Sequence, residues 1–173
     1  MNGSTIDAPT PDGVADCYLT KPAEGGAHPG VLFMMDAIGL RPRIEEMADR
    51  IAAQGYVVLA PNVFYRGGRA PLWQTPDLHD PDSRAKFFRR LGPLMGALTP
   101  AAAAADGGVY LDMLGELTDG PGDRRRRRAP HHRGLRGCAA RLHDGRPGRA
   151  YNEAAAERHF KALFALLRRA IPR

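Results

Sequence analysis

The apolar residues in the first third of the chain fall into three patterns. Polar and apolar positions alternate from Val14 to Thr20, which predicts a strand. Gly30 to Met35 is an unbroken apolar run, typical of a strand that is covered on both faces. After Pro42, apolar residues return every three or four positions until Gly55, as on one helix face, and Tyr56 to Ala60 is a second unbroken run. Strand, helix and strand with short connections predict parallel pairing in a doubly wound α/β sheet.

Further helices are predicted towards the C-terminus. The chain from Pro61 to Pro81 is rich in glycine and proline and is expected to be a loop. Asp82 or Ser83 could cap the helix that follows it. Apolar stripes predict two more helices, from Ala101 to Leu117 and from Asn152 to Ile171.

Length and composition are those of an ordinary globular chain. Its 173 residues suffice for one domain, and we expect residues 1–173 to form a single α/β domain. No apolar run approaches the roughly 18 residues of a membrane helix, and the N-terminus lacks a basic segment followed by an apolar one. We therefore expect a cytoplasmic protein without a membrane partner. Cys17, Cys138 and six scattered histidines form no metal-binding spacing, so neither a metal nor another cofactor is expected.

The basic charge of the chain is concentrated in one segment. Arg124 to Arg149 contains ten arginines and one acid, Asp144, a local sum of +9, so the remaining residues sum to −3. Residues 123–149 consist mainly of Arg, Gly, Ala, Pro and His, and could bury too little apolar surface to offset the entropy of ordering. We expect this segment to be disordered and to bind polyanions without sequence preference.

Two stretches of the chain resemble a known enzyme family. They are Pro29 to Pro42, an apolar strand that runs into an acid and a glycine turn, and Met47 to Arg66, a helix, a second strand and a loop that ends on arginine. Both resemble the dienelactone hydrolase family, and the resemblance covers residues 10–122 and 145–171. It implies a truncated α/β-hydrolase fold, hydrolysis of esters or lactones through a Cys or Ser nucleophile, and a small carboxylate or lactone as substrate. At 173 residues the chain is short for that fold, which usually takes about 200 to 250.

The resemblance assigns roles to three residues. Asp36 matches the acidic position that takes part in controlling the nucleophile, and the backbone N–H of Ala37 would supply half of an oxyanion hole. Arg66 matches an arginine that helps to bind the substrate carboxylate, a task that suits its planar, permanently charged group. Asp36 and Arg66 also have simpler interpretations: Asp36 could cap a turn, and Arg66 could be a solvated loop residue.

The nucleophile is the part of the family pattern that the sequence lacks. The two serines do not fit, because Ser4 falls in an expected frayed terminus and Ser83 at a helix start, and Cys17 lies inside a strand. Cys138 is the remaining candidate, since Gly-Leu-Arg-Gly-Cys-Ala-Ala distantly resembles the family's Gly-x-Cys-x-Gly-Gly turn. Arg136 stands where the tight turn needs a very small residue, and the only downstream acid and base candidates lie too close in sequence to occupy separate strand ends.

Three interpretations are open. The first is a chain of this family with an internal deletion, in which residues 123 to about 144 come from an altered reading frame; translating the gene in all frames would test it. The second is a non-catalytic scaffold whose Arg-rich segment recruits an anionic partner. The third is a nucleic-acid binder, which the absence of lysine from that segment and of interleaved aromatic residues disfavours.

Overall fold

The computed structural model describes residues 3–118 and 153–170, which belong to two separate compact units. The first unit contains, in chain order, β1 (Ser4–Thr10), β2 (Gly13–Thr20), β3 (Gly30–Leu32), α1 (Pro42–Ala52), β4 (Val57–Pro61), a 3₁₀ turn (Tyr65–Gly67), α2 (Pro81–Ala97) and α3 (Pro100–Thr118). The second contains α4 (Glu153–Ala170). None of the helices in the described ranges is long and apolar enough to cross a membrane. Cys138 and the Arg-rich segment 123–149 lie outside the described residues, and the prediction of one domain stays a prediction.

The four strands form one mixed sheet in the order β1-β2-β4-β3. β3 and β4 are parallel, with Val31 opposite Val58, as the strand-helix-strand pattern predicts. The β1–β2 and β2–β4 pairs are antiparallel. The described part of the sheet therefore combines a hairpin with one parallel crossover unit.

The prediction of a frayed N-terminus was wrong, because Ser4 is the first residue of β1 and lies opposite Leu19. β1 is tied to β2 by a tight turn at Pro11 and Asp12 that closes on Gly13, whose φ is +144°. Pro-Asp-Gly is a strong turn sequence, since proline fixes its own φ and glycine accepts a positive one.

β3 is shorter and less buried than its sequence suggests. The run from Gly30 to Met35 predicts a strand covered on both faces, but the ladder spans only Gly30–Leu32 and its three residues are half-buried. The N–H of Phe33 still donates to the carbonyl of Leu59 at 2.9 Å. The reduced burial arises because, within residues 3–118, β3 lies at the edge of the sheet with β4 as its neighbour.

Helices cover both faces of the sheet. Val57 and Leu59 of β4 point into the larger apolar cluster, which includes Tyr110 and Leu114 of α3. Ala60, on the opposite face, packs with Ile44 of α1 in a smaller cluster. This alternation follows from the two-residue period of a strand and confirms the predicted doubly wound packing.

The predicted helices are confirmed, with one corrected start. α2 is capped by Asp80, not by Asp82 or Ser83: an Asp80 carboxylate oxygen accepts from the N–H of Ser83 at 2.7 Å, and Pro81 occupies the first helical position. In α4, the rings of Phe160 and Phe164 lie 5.6 Å apart, as expected for residues on one helix face.

Candidate functional site

Asp36 organises the turn between β3 and α1. One carboxylate oxygen, Oδ1, accepts from the N–H of Ile38 at 2.9 Å, and the backbone carbonyl of Asp36 accepts from the N–H of Gly39 at 3.0 Å. Gly39 has a φ of +98°, which a side chain would disfavour. Ala37 lies in this turn at an exposed position.

The carboxylate of Asp36 is also held by an arginine. Nη1 and Nη2 of Arg41 donate to Oδ1 and Oδ2 at 2.6 and 2.8 Å, a two-pronged ion pair, and Nη1 also donates to the carbonyl of Gly39. The Arg41 side chain is only 14% exposed, against 51% for Asp36. Asp36 therefore caps a turn, as its simpler interpretation predicts. Its control of a nucleophile stays a prediction.

Arg66 lies in the 3₁₀ turn after β4, between two carboxylates. Its Nη1 donates to Oδ2 of Asp106 in α3 at 2.8 Å, while Nε and Nη2 donate to Oδ2 of Asp12 in the β1–β2 turn at 3.0 and 2.6 Å. The guanidinium also lies 4.5 Å from the ring centre of Tyr65. The alternative of a solvated loop arginine was wrong, because the side chain is only 16% exposed and makes two ion pairs.

Asp106 is the buried centre of this cluster. Its side chain is 3% exposed, and besides Arg66 it accepts from the hydroxyl of Tyr65 at 3.2 Å. Hydrogen bonding to Asp106 raises the pKa of Arg66 above its already high ordinary value. Burial, with the charge of Asp106 next, raises the pKa of the nearby Tyr110 hydroxyl. The cluster is therefore a fixed ion-pair network, with Asp36 and Arg66 in separate sets of contacts.

A second polar pair fixes the loop that carries Arg66. Asn62, fully buried after β4, donates through Nδ2 to Oδ1 of Asp16 at 2.9 Å and to the carbonyl of Gly68 at 3.0 Å. The other oxygen of Asp16 accepts from the N–H of Ala70 at 2.9 Å, and Oδ1 of Asn62 accepts from the N–H of Phe64. Because both ends of the loop are bonded to one buried pair, the position of Arg66 is set by the sheet.

The described residues contain three of the four serines and cysteines, and none forms a nucleophile turn. Cys17 is fully buried in β2, and burial, followed by the charges of Asp16 and Asp7, raises the pKa of its thiol to about 12. Such a thiol is neutral and inaccessible at physiological pH. Ser4 begins an edge strand and Ser83 lies in the first turn of α2. Within these ranges, no three His, Cys, Asp or Glu side chains are grouped as a metal site needs.

A small cavity lies where the parallel strands end. Its volume is about 70 Å³, and it is lined by residues at the ends of β3 and β4, among them Leu32 and Val63, and by Asp106 and Tyr110 of α3. This is the edge at which α/β folds bind ligands. Ligand pockets usually measure about 300 Å³ or more, so the space that the described residues enclose is smaller than a typical ligand pocket. A wider groove of about 460 Å³ between Trp73 and α2 contains none of the predicted site residues.

Two residues of this region could have been found from sequence signals. Asp106 stands four and eight positions before Tyr110 and Leu114, on the apolar stripe of α3, where an acid requires a buried partner. Asp12 belongs to a Pro-Asp-Gly turn, and of the two strands that this turn joins only β2 was predicted from the sequence. Arg66 lies 54 positions after Asp12 and 40 positions before Asp106, so their proximity depends on sheet register.

Comparison with known proteins gives a consistent result. The sequence profile of the dienelactone hydrolase family matches residues 15–106, just over half of the chain. A protein of Methylorubrum extorquens, provisionally named a carboxymethylenebutenolidase, is 36% identical over 63 residues, and a similarly named protein of Azospirillum brasilense is 29% identical over 87. These matches cover 36% and 50% of this chain but only 22% and 35% of the two relatives.

Solved structures share the fold. A protein from Klebsiella pneumoniae, provisionally named a dienelactone hydrolase, has a TM-score of 0.53 at 18% identity, and the match covers 68% of this chain and 45% of that one. A second structure, described as m3DLH, has a TM-score of 0.50 at 26% identity and is covered to 46%. The chain thus has the α/β-hydrolase fold over a stretch that is less than half of each solved relative. With the profile match across β2, β3, β4 and the loop of Arg66, the chain belongs to the dienelactone hydrolase family.

Proposed function

We propose that this chain has the sheet and loops of an ester or lactone hydrolase but does not turn over esters or lactones. The observation that carries the proposal is the chemistry of the nucleophile candidates in the part of the chain that the structure describes, to which Cys138 does not belong. Cys17 is buried with a pKa of about 12, Ser83 lies in a helix N-terminus, and Ser4 lies in a strand. Covalent hydrolysis needs an activated thiolate or alkoxide aimed at the carbonyl, and binding alone lowers no barrier.

The surroundings of Arg66 support weak substrate binding at best. A carboxylate that approaches this guanidinium meets one positive charge that already contacts two negative ones, Asp12 and Asp106. It would have to displace Asp12, whose side chain is 57% exposed, in order to gain a comparable contact. We therefore expect a small carboxylate to bind weakly, with an affinity that falls further in Arg66→Ala.

The direct test is a turnover assay of the full chain with an activated aryl ester and a dienelactone. Cys138→Ala, Asp36→Ala and Arg66→Ala are measured beside it, and Ser83→Ala serves as a control at a half-buried serine of α2. We expect no turnover above background in any of them. Robust turnover that disappears in Cys138→Ala would overturn the proposal, whereas turnover unaffected by all four changes would identify a contaminant.

A second candidate function rests on the ten arginines between Arg124 and Arg149. We propose that this segment binds polyanions without sequence preference, because each arginine can pair with a phosphate or sulfate group and release counterions. With six or more such contacts, affinity falls by about 10³ or more between roughly 50 and 200 mM salt.

A salt titration with heparin and with single-stranded DNA of two sequences tests this second candidate. Replacing Arg124 to Arg128 by glutamine should weaken binding strongly, since it removes half of the arginines of the segment, while Arg84→Gln, Arg89→Gln and Arg90→Gln on α2 should reduce it little. Binding that resists salt, or that distinguishes the two DNA sequences strongly, would contradict the proposal.

A further inference from the structure

The backbone of β3 has hydrogen-bonding groups that point away from its neighbour. The N–H of Phe33 donates to Leu59 of β4, and the carbonyl of Pro29 accepts from the N–H of Val57, both at 2.9 Å. Because successive residues of a strand point their N–H and C=O groups to opposite sides, those of Gly30 and Leu32 point away from β4. Within residues 3–118, no other strand pairs with β3.

The two outer strands of the sheet differ in how their edges are protected. β1 carries Asp7 and Pro9, both exposed, and such residues prevent edge-to-edge pairing. The run from Gly30 to Met35 contains no charge and no proline, and Met34 within it is 53% exposed. Its composition is that of an interior strand.

The open edge of β3 is bordered on both faces. A Cβ atom on Gly30 would lie 2.8 Å from the Leu114 side chain of α3, so α3 is in close contact with the strand on one face. Phe33 packs against the cluster of Leu40 and Ile44 on the other. A partner at this edge therefore meets a row of backbone groups between two covered faces, which an extended strand matches and a helix does not.

We propose that the β3 edge pairs with the same edge of a second copy of this chain. An antiparallel pair centred on Val31 brings Gly30 of one copy opposite Leu32 of the other, so all four outward N–H groups find carbonyls. Residues 119–152 of the same chain are less suitable, because Tyr151 is the one β-branched or aromatic residue of the kinds that favour strands in that stretch of sequence. The β3 strand of a second copy is apolar and can pair in the register centred on Val31.

The first test is the mass of the full chain in solution as a function of concentration. Light scattering at physiological ionic strength, over a roughly hundredfold range, should give a mass that rises from 18.8 kDa towards twice that value. Val31→Lys places two like charges opposite each other and should weaken the dimer about tenfold, while Val31→Thr, which keeps the branched shape, should weaken it much less. A monomer at every concentration would overturn the proposal.

Amide hydrogen exchange on the wild type supplies a test that needs no variant. The Leu32 amide should be protected, and its protection should rise with protein concentration, while the Phe33 amide, bonded within the sheet, should be protected at every concentration. Fast exchange of Leu32 throughout would contradict the proposal. Protection of Leu32 that does not change with concentration would also contradict it, because the cover would then come from the same chain.

Discussion

At the scale of single residues, the ion pairs of Arg66 differ in their surroundings. Asp106 is almost fully buried and also accepts from Tyr65, whereas Asp12 is more than half exposed. Water screens the outer pair and leaves the inner pair as the main determinant of where the guanidinium lies. Removing the buried carboxylate leaves the guanidinium with only the exposed, water-screened Asp12 as a partner.

Asp106→Asn should therefore lower the free energy of unfolding by about 3 kcal/mol. The substitution removes the buried negative charge, and the N–H group of the new amide cannot bond to a guanidinium, which has no hydrogen-bond acceptor. Asp12→Asn is the matched control and should cost less than about 1 kcal/mol. Urea unfolding of both variants measures the difference. Equal losses would mean that burial does not distinguish the two pairs.

The thiol of Cys17 should make stability sensitive to alkaline pH. Its pKa rises from 9.0 to about 12 on folding, chiefly through burial, so the folded protein keeps this proton at pH values where the unfolded chain releases it. The resulting stability is complete below about pH 9 and is lost as pH rises towards 12, at up to about 1.4 kcal/mol per pH unit.

Urea unfolding of wild type and Cys17→Ala, under reducing conditions between roughly pH 8 and 11, checks this expectation. The fall in stability with pH should be shallower in the variant. Tyr18, whose pKa is raised to about 12 by burial and by Asp49, should leave part of the slope in both proteins. Identical slopes would show that the thiol titrates alike in the folded and unfolded states.

At the scale of elements, the sequence predicts those whose signals are local. β4 and α1 have unbroken or periodic apolar patterns, and both were predicted within a residue or two. β1 was missed because its exposed edge carries Asp7 and Pro9, which dilute the strand pattern. The shortness of β3 could not be predicted, because it depends on which strands lie beside it.

The site was predictable only in part, for a related physical reason. Asp36 and Arg41 lie five residues apart, so their ion pair is a local feature of one turn. The partners of Arg66 come from a hairpin turn and from α3, and only the folded sheet brings them together. A motif can therefore identify the arginine but not the charges that surround it.

The N-terminus of α2 offers a prediction for one element. Asp80 caps it by accepting from the N–H of Ser83 at 2.7 Å. Asp80→Ala should lower the free energy of unfolding by about 1 kcal/mol, while Asp82→Ala, which removes a charge from the first turn but no cap, should cost a few tenths of that. Thermal unfolding of the two variants measures the contrast, and a larger loss in Asp82→Ala would refute the assignment of the cap.

At the scale of the whole molecule, the family match concerns the fold. The family's matched region, residues 15–106, contains most of β2, all of β3 and β4, the turn of Asp36 and the loop of Arg66. The described cavity at the strand ends measures about 70 Å³ and is bordered by the buried carboxylate of Asp106. Packing alone can maintain a hydrolase fold, so the fold by itself does not establish hydrolysis.

The most direct measurement of this central claim is the intact mass of the full chain after incubation with an activated aryl ester. A covalent hydrolase adds the acyl group to its nucleophile, and rapid acid quenching traps that intermediate. We predict an unchanged mass, with no adduct in wild type or in Cys138→Ala. A single acyl adduct that maps to Cys138, is absent from Cys138→Ala and is suppressed by excess dienelactone would contradict the account.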